Sequence, residues 1–234
     1  MSKYEKGWVC RMIRKYLMAG LLLLCLLPWN ALAADPALST ILEGIRKRYG
    51  LVPGLTLTYE REVITKSMAM LGPQVKPEVA SGMIHYKSPH FLKFQQETPS
   101  KEILVTDGNV LWWYIQAKNQ AHRYSSHQLS QEVKLLGDIF QGLRGVEQSF
   151  VILQKGEDDK GALILEVTPS PSWGDIDHID LTITPGSYHI QKVEIYNLLG
   201  GLTRFKLGDS IKEERFKDDF FKFTPPSGAR VIEE

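Results

Sequence analysis

The run with the most chemistry in it is Asp175-Ile176-Asp177-His178-Ile179-Asp180, where carboxylates and an imidazole alternate with isoleucine. Carboxylate oxygens and imidazole nitrogens are the ordinary ligands of hard and borderline cations. Ile176, Ile179, Leu181 and Ile183 nevertheless read as strand positions whose polar neighbours face water, and the glycine of a calcium loop is absent. No metal site is expected. The histidines at 85, 90, 122, 127, 178 and 189 are scattered, without the His-Glu-x-x-His spacing that sets two ligands on one helical face. Neither a Gly-x-Ser-x-Gly elbow nor a phosphate-cradling glycine loop occurs, so nucleophilic hydrolysis and nucleotide chemistry lack a foothold. A hydrolytic triad gathered from distant residues is the remaining catalytic alternative. The expectation is a protein that is not an enzyme and has no cofactor.

The aromatic run Trp112-Trp113-Tyr114, with Phe91, Phe94 and Tyr124 nearby, offers rings for stacking on bases or sugars. Strand alternation sends neighbours to opposite faces, so apolar packing or acyl contact is the better reading. Charge points the same way. The first 33 residues hold five of the 28 basic residues and one of the 27 acidic ones, which leaves 23 and 26 and a net charge near −3. Such a chain has no strong pull toward nucleic acid.

Those first residues read as a leader. Lys3, Lys6, Arg11, Arg14 and Lys15 precede an apolar run from Leu17 to Leu27, and Ala31-Leu32-Ala33 supplies the small side chains of a cleavage site before Ala34. The run is short of the roughly 20 residues that span a bilayer, and Pro28 breaks it. Leu24 stands where a lipoprotein signal ending at Cys25 needs a small residue. The expected domains are therefore a cleaved signal peptide, 1–33, and one domain, 34–234. Cys10 and Cys25 leave with the leader, so the mature chain has no disulfide and is held by a buried core.

Asp35-Pro36 reads as a helix start and Gly50 as a stop, with Leu38, Ile41, Leu42, Ile45 and Tyr49 on one stripe. From Leu55 the pattern becomes Thr, Tyr, Val, Ile and Phe segments separated by turn signals. Strands are expected near 55–64, 80–87, 91–97, 102–106, 110–115, 121–124, 149–155, 161–168, 177–184, 189–197, 201–208 and 220–223. Asp107-Gly108 joins two of them as a hairpin turn. A second amphipathic helix is expected from about Ser126 to Gly142, with Leu129, Val133, Leu136, Ile139, Phe140 and Leu143 as its stripe and a capping box over Ser125 to Gln128. Two helices cannot cover both faces of so large a sheet. The economical fold is mainly β, an unclosed antiparallel barrel whose strongly curved sheet is capped on its concave side by amphipathic helices. Periodicity leaves open whether those helices complete an ordinary core or enclose a cavity for a greasy ligand.

Three segments then carry a resemblance: Ser88-Pro89-His90-Phe91-Leu92-Lys93-Phe94, the stretch Leu104 to Tyr114 around Asp107-Gly108-Asn109-Val110-Leu111-Trp112, and the ending Phe221-Lys222-Phe223-Thr224-Pro225-Pro226-Ser227-Gly228. In order and spacing the whole mature chain resembles the LolA family of periplasmic lipoprotein carriers. The resemblance implies an unclosed β-barrel with a helical lid that shields lipoprotein acyl chains in transit from inner to outer membrane. It implies as partners triacylated lipoproteins, an inner-membrane lipoprotein-release ABC transporter complex and an outer-membrane lipoprotein receptor, with no nucleic acid and a monomeric state. A LolA-like lipid- or lipoprotein-sensing adaptor of the cell envelope is the alternative.

Leu38, Leu42, Leu92, Phe94, Trp112, Tyr114, Leu129, Val133, Leu136 and Phe140 are the candidates for acyl or lid contact. In the resemblance a Phe-Arg-Trp segment supplies an arginine that holds lid carbonyls, and here Leu92-Lys93-Phe94 stands in its place. Lys93 is thus the latch candidate, with a point charge instead of a planar fork. The segment Val63 to Ser81, with Met68, Met70, Leu71, Pro73 and Pro77, is more irregular than the early hairpin of the family. It reads as a solvent loop with a few packed methionines, a flexible cavity rim being the alternative. Three acyl chains at about 0.8 kcal/mol per methylene would gain on the order of 30 kcal/mol, above the ceiling of roughly 18–21 kcal/mol for non-covalent affinity. A usable carrier must bury them incompletely or spend the gain on displacing its own helices.

Overall fold

Alternating apolar and polar residues build thirteen strands among the described residues, and they join into one sheet. The computed structural model describes residues 36–72, 75–125, 131–208, 212–213, 215–217 and 219–234, and Ala37–Glu234 form one compact unit. In chain order the elements are α1 (Pro36–Tyr49), β1 (Gly54–Ile64), α2 (Lys66–Leu71), β2 (Glu78–Lys87), β3 (Phe91–Thr98), β4 (Glu102–Thr106), β5 (Val110–Ile115), β6 (Gln120–Ser125), α3 (Gln131–Phe140), β7 (Phe150–Glu157), β8 (Leu163–Pro169), β9 (Ile176–Ile183), β10 (Ile190–Asn197), β11 (Leu202–Leu207), β12 (Lys212–Glu213) and β13 (Arg230–Glu233). The strand order is β13-β6-β5-β4-β3-β2-β1-β11-β10-β9-β8-β7, with β12 also on β1. Two meanders thus meet at β1, which pairs with β2 on one side and with β11 and β12 on the other. The end strands β13 and β7 do not pair with each other, so the curved sheet is unclosed.

One face, here the inner face, carries the core. Ile41, Leu42, Ile45 and Tyr49 of α1 and Leu135, Leu136, Ile139 and Phe140 of α3 are buried against Leu57, Tyr59, Ile84, Tyr86, Leu92, Ile179, Leu181 and Val193 of the sheet. Both expected helices are present, and Asp35 and the 126–130 segment, with the expected cap and Leu129, lie outside the described residues. The end of α3 is a Schellman stop: Leu143 N–H donates to the Asp138 carbonyl at 2.8 Å and Gly142 N–H to that of Ile139 at 2.9 Å. Gly142 has φ +77°, and a Cβ there would stand 2.8 Å from Arg46 Cα, so the two helix ends meet closely. The 63–81 stretch holds a further short helix, α2, whose residues are not buried. Thr65 caps it by accepting from Met68 N–H at 3.2 Å.

The expected strand at 220–223 is corrected. Phe220 and Phe221 lie in a turn, followed by irregular chain, because Pro225 and Pro226 have no N–H to give a ladder. The chain stays beside β1 past Gly208, whose N–H donates to the Thr58 carbonyl at 2.9 Å, as far as β12, where Glu213 stands opposite Leu55. It then crosses the outer face: Phe220 packs on His85 at 5.1 Å, Phe221 on Phe91 at 5.5 Å and Phe223 on Trp112 at 5.5 Å. Finally β13 pairs parallel with β6, Val231 opposite Ala121.

Helix α1 is fastened to the β9–β10 turn. Tyr49 Oη lies 3.0 Å from His189 Nδ1 and accepts from Ile190 N–H at 3.0 Å. The Tyr188 ring lies over Gly44, where a Cβ would stand 2.3 Å from its Cγ. Helix propensity alone would make Gly44→Ala stabilising by about 0.5–1 kcal/mol, but this clash is with the root of the ring and must dominate. Gly44→Ala is expected to destabilise by about 1–3 kcal/mol, whereas Gly137→Ala in α3, with nothing within 4 Å of its Cβ, should stabilise by about 0.5–1 kcal/mol. Urea unfolding of the two variants reads the opposite signs.

Candidate functional site

Between α3 and the inner face lies a cavity of about 250 Å³. Strand alternation aims Tyr59 and Arg61 of β1, Phe94 and Gln96 of β3, Glu102 and Leu104 of β4, Trp113 of β5 and Phe205 of β11 into it, and Val133 and Leu136 of α3 close it. A second cavity, of about 220 Å³, flanks the same helix between Val133, Lys134, Gly137 and Asp138 and the Tyr86, His90, Leu92 and Thr106 side. Val133 lines both. Helix α3 therefore stands between two voids, and its removal would join them.

Electrostatics in the first cavity are lopsided. Glu102 is committed, accepting from Ser100 Oγ and from Trp113 Nε1, each at 2.8 Å. Burial lifts the Tyr59 phenol above its ordinary value, with Arg61 opposing and Glu102 adding to the rise. In the second cavity burial raises the Asp138 carboxyl against the pull of His90, and burial pushes Tyr86 up to about 12.

The candidates separate by face. Phe94 meets Tyr59 edge-on at 5.4 Å in the first cavity, Leu92 lines the second, and Val133 and Leu136 face the sheet. Phe140 is buried between Tyr49 at 6.2 Å and Tyr86 at 5.7 Å. Leu42 is buried in the core and Leu38 packs at its margin. Trp112 and Tyr114 are corrected: they stand on the outer face, 5.5 and 5.7 Å from Phe223. The register Leu104↔Trp113 turns Trp113 inward and sends both its neighbours out.

The latch at Lys93 is corrected for the same reason. With Leu92 and Phe94 inward, Lys93 points outward, where Nζ donates to the Phe220 carbonyl at 3.3 Å and sits 4.2 Å from the centre of the Phe220 ring. Burial draws its pKa down. It clasps the C-terminal crossing and not the helices. What joins the helix ends is the Arg46–Glu147 ion pair and Arg144, whose Nη2 donates to the Gly50 carbonyl at 2.6 Å. Sequence reasoning missed Trp113 and Arg61. The signal for Arg61 was its period-two spacing from Leu55, Leu57 and Tyr59.

On the outer face Glu166 joins His178 and Asp180, with one ligand atom of each within 4.8 Å of the others. Lys155 already pairs with Glu166 at 2.9 Å, and Asp177 engages His178 Nδ1 at 2.8 Å. Asp180 stands opposite Glu166 on one side and Glu194 on the other. Burial lifts its pKa, His178 opposes, and the two glutamates add. A carboxylate raised in the folded state is least favourable above its folded pKa, and the penalty disappears as pH falls through that value. Asp180→Asn should therefore stabilise by about 0.2–1 kcal/mol at neutral pH, with the gain fading in acid, as urea unfolding across pH would show.

The family model described as outer membrane lipoprotein carrier protein LolA matches residues 71–224. The chain belongs to the LolA family. It is 25% identical over 161 residues to the outer-membrane lipoprotein carrier protein of Dechloromonas aromatica (strain RCB), covering 68% of this chain and 74% of that one. It is 24% identical over 159 residues to that of Nitrosospira multiformis (strain ATCC 25196 / NCIMB 11849 / C 71), covering 67% and 74%. Among solved structures, an uncharacterized conserved protein from Thermus thermophilus superposes with a TM-score of 0.52 at 13% identity, over 85% of this chain and 99% of that one, a likeness of fold. The LolA match takes in α3 and most of the cavity wall but begins after β1, so Tyr59 and Arg61 lie outside it.

Proposed function

We propose that this LolA-family chain is a periplasmic carrier, without enzymatic activity, that shields lipoprotein acyl chains between the sheet and α3. The reading includes export by a signal peptide cut after Ala33, loading from an inner-membrane ABC release complex and delivery to an outer-membrane receptor. The observation that carries it is the position of α3 between two cavities whose walls include Phe94, Leu104, Phe205, Leu92 and Leu136. Ligand pockets usually run to about 300–1,000 Å³, and the first cavity, at about 250 Å³, is too small for three acyl chains. Lifting α3 supplies the remaining space, and its displaced apolar stripe offsets part of the gain from acyl burial.

The test is to express the full chain in a Gram-negative host, purify the periplasmic form without detergent and identify bound molecules by native and denaturing mass spectrometry. Stoichiometric triacylated lipoprotein supports the carrier. A different bound lipid, with no lipoprotein taken up even when supplied, replaces it by the lipid-sensing adaptor. One observation favours that second reading, the uncommitted cation Arg61 in the cavity wall, because the root of a triacylated cysteine carries no anion.

A further inference from the structure

We propose that Arg61 anchors an acidic head group, so that the cavity under α3 takes an acyl chain ending in a carboxylate or a phosphate. The inference rests on the acyl-binding cavity under α3 and names the ligand class for the lipid-binding alternative to the carrier.

The acids of β1 are turned away from Arg61. Glu60 and Glu62 point to the outer face, where they pair with Lys206 and Arg204 at 2.6–2.7 Å. On the inner face Arg61 stands opposite Ala80 of β2 and Phe205 of β11, a methyl group and a ring. The acid in the same cavity, Glu102, already accepts from Ser100 and Trp113. Among the described residues Arg61 takes part in no hydrogen bond or ion pair, and its Nε is shut off from solvent without a partner.

A guanidinium cannot relieve such a position by losing its proton, and the shielded Nε is completed by an acceptor brought into the cavity. Its planar fork offers parallel N–H donors that match the two oxygens of a carboxylate or phosphate, a fit that a hydroxyl cannot reproduce. Around it the wall is greasy, with Tyr59, Phe94, Leu104 and Leu136. One cation at the edge of an apolar void selects a molecule with an acidic end and a hydrocarbon tail.

The experiment is calorimetric titration of the detergent-free, delipidated protein with laurate, dodecyl phosphate and dodecanol, each below its aggregation concentration. It is repeated with Arg61→Gln and Arg61→Lys, after matching urea midpoints show that the variants fold. The wild type should bind at least one of the two acids about tenfold or more tighter than the alcohol. Arg61→Gln should remove that difference while leaving dodecanol affinity within about twofold, and Arg61→Lys should keep part of it. Whichever acid binds tighter names the head group. Equal affinity for acids and alcohol in the wild type, or an acid preference that survives Arg61→Gln, overturns the anchor and leaves the acyl-binding cavity standing. Failure of all three probes to bind overturns both.

Discussion

Phe140→Ala should cost about 3–5 kcal/mol of folding stability and yet tighten acyl binding. The ring is fully buried at the end of α3, wedged between Tyr49 of α1 and Tyr86 of β2, and it lines neither of the two cavities beside Val133. Its contacts therefore stabilise the helix-down state without offering anything to a ligand. When an acyl chain displaces α3 those contacts are already lost, so removing them in advance lowers the free energy that binding must overcome. Each 1.4 kcal/mol recovered in this way is about tenfold in affinity, and more than tenfold is expected. Urea unfolding measures the first effect and titration with a long-chain ligand the second. Affinity that falls along with stability would mean that the ligand enters with α3 in place.

The second large effect is expected from deleting residues 219–234. That removes Phe220, Phe221 and Phe223 and uncovers His85, Phe91, Trp112 and Tyr114 on the outer face. It also strips β13 from β6 and leaves the backbone donors and acceptors of that edge unpaired. An aromatic patch beside an open strand edge is a template for association. The truncated chain should form concentration-dependent oligomers or precipitate, while the full chain stays monodisperse in light scattering at the same concentration. Phe221→Ala, which empties one buried position, isolates the packing component at about 3–5 kcal/mol. A monodisperse truncated chain would reduce the crossing segment to a passive tail.

Strands and hairpins were legible because their causes are local. Leu55, Leu57 and Tyr59 alternate, and Asp107 turns the β4–β5 hairpin by accepting from Asn109 and Val110 N–H at 2.8 and 3.0 Å. Which face each aromatic takes was not, since three rings in succession satisfy either parity. Only the pairing of Thr106 with Leu111 and Leu104 with Trp113 decides it. The same parity moved Lys93 from the helices to the C-terminal crossing. Phe221-Lys222-Phe223 imitates a strand by alternation, but its partners are rings from two other strands, Phe91 of β3 and Trp112 and Tyr114 of β5, which no window of neighbouring residues contains. Arg61 was hidden by composition: beside Glu60 and Glu62 it reads as one more surface charge, and its burial depends on α3, some seventy residues away.

The placement of β1 imposes an order in time. Its β2 edge is satisfied by chain made within the next few dozen residues, but its other edge waits for Leu207, 148 residues further on, to pair with Tyr59. Pairings of such long range are slow to close. Until β11 pairs, the chain exposes the longest strand among the described residues with one edge of its backbone groups unmatched, so a holding chaperone would be most needed between the pairing of β2 and that of β11.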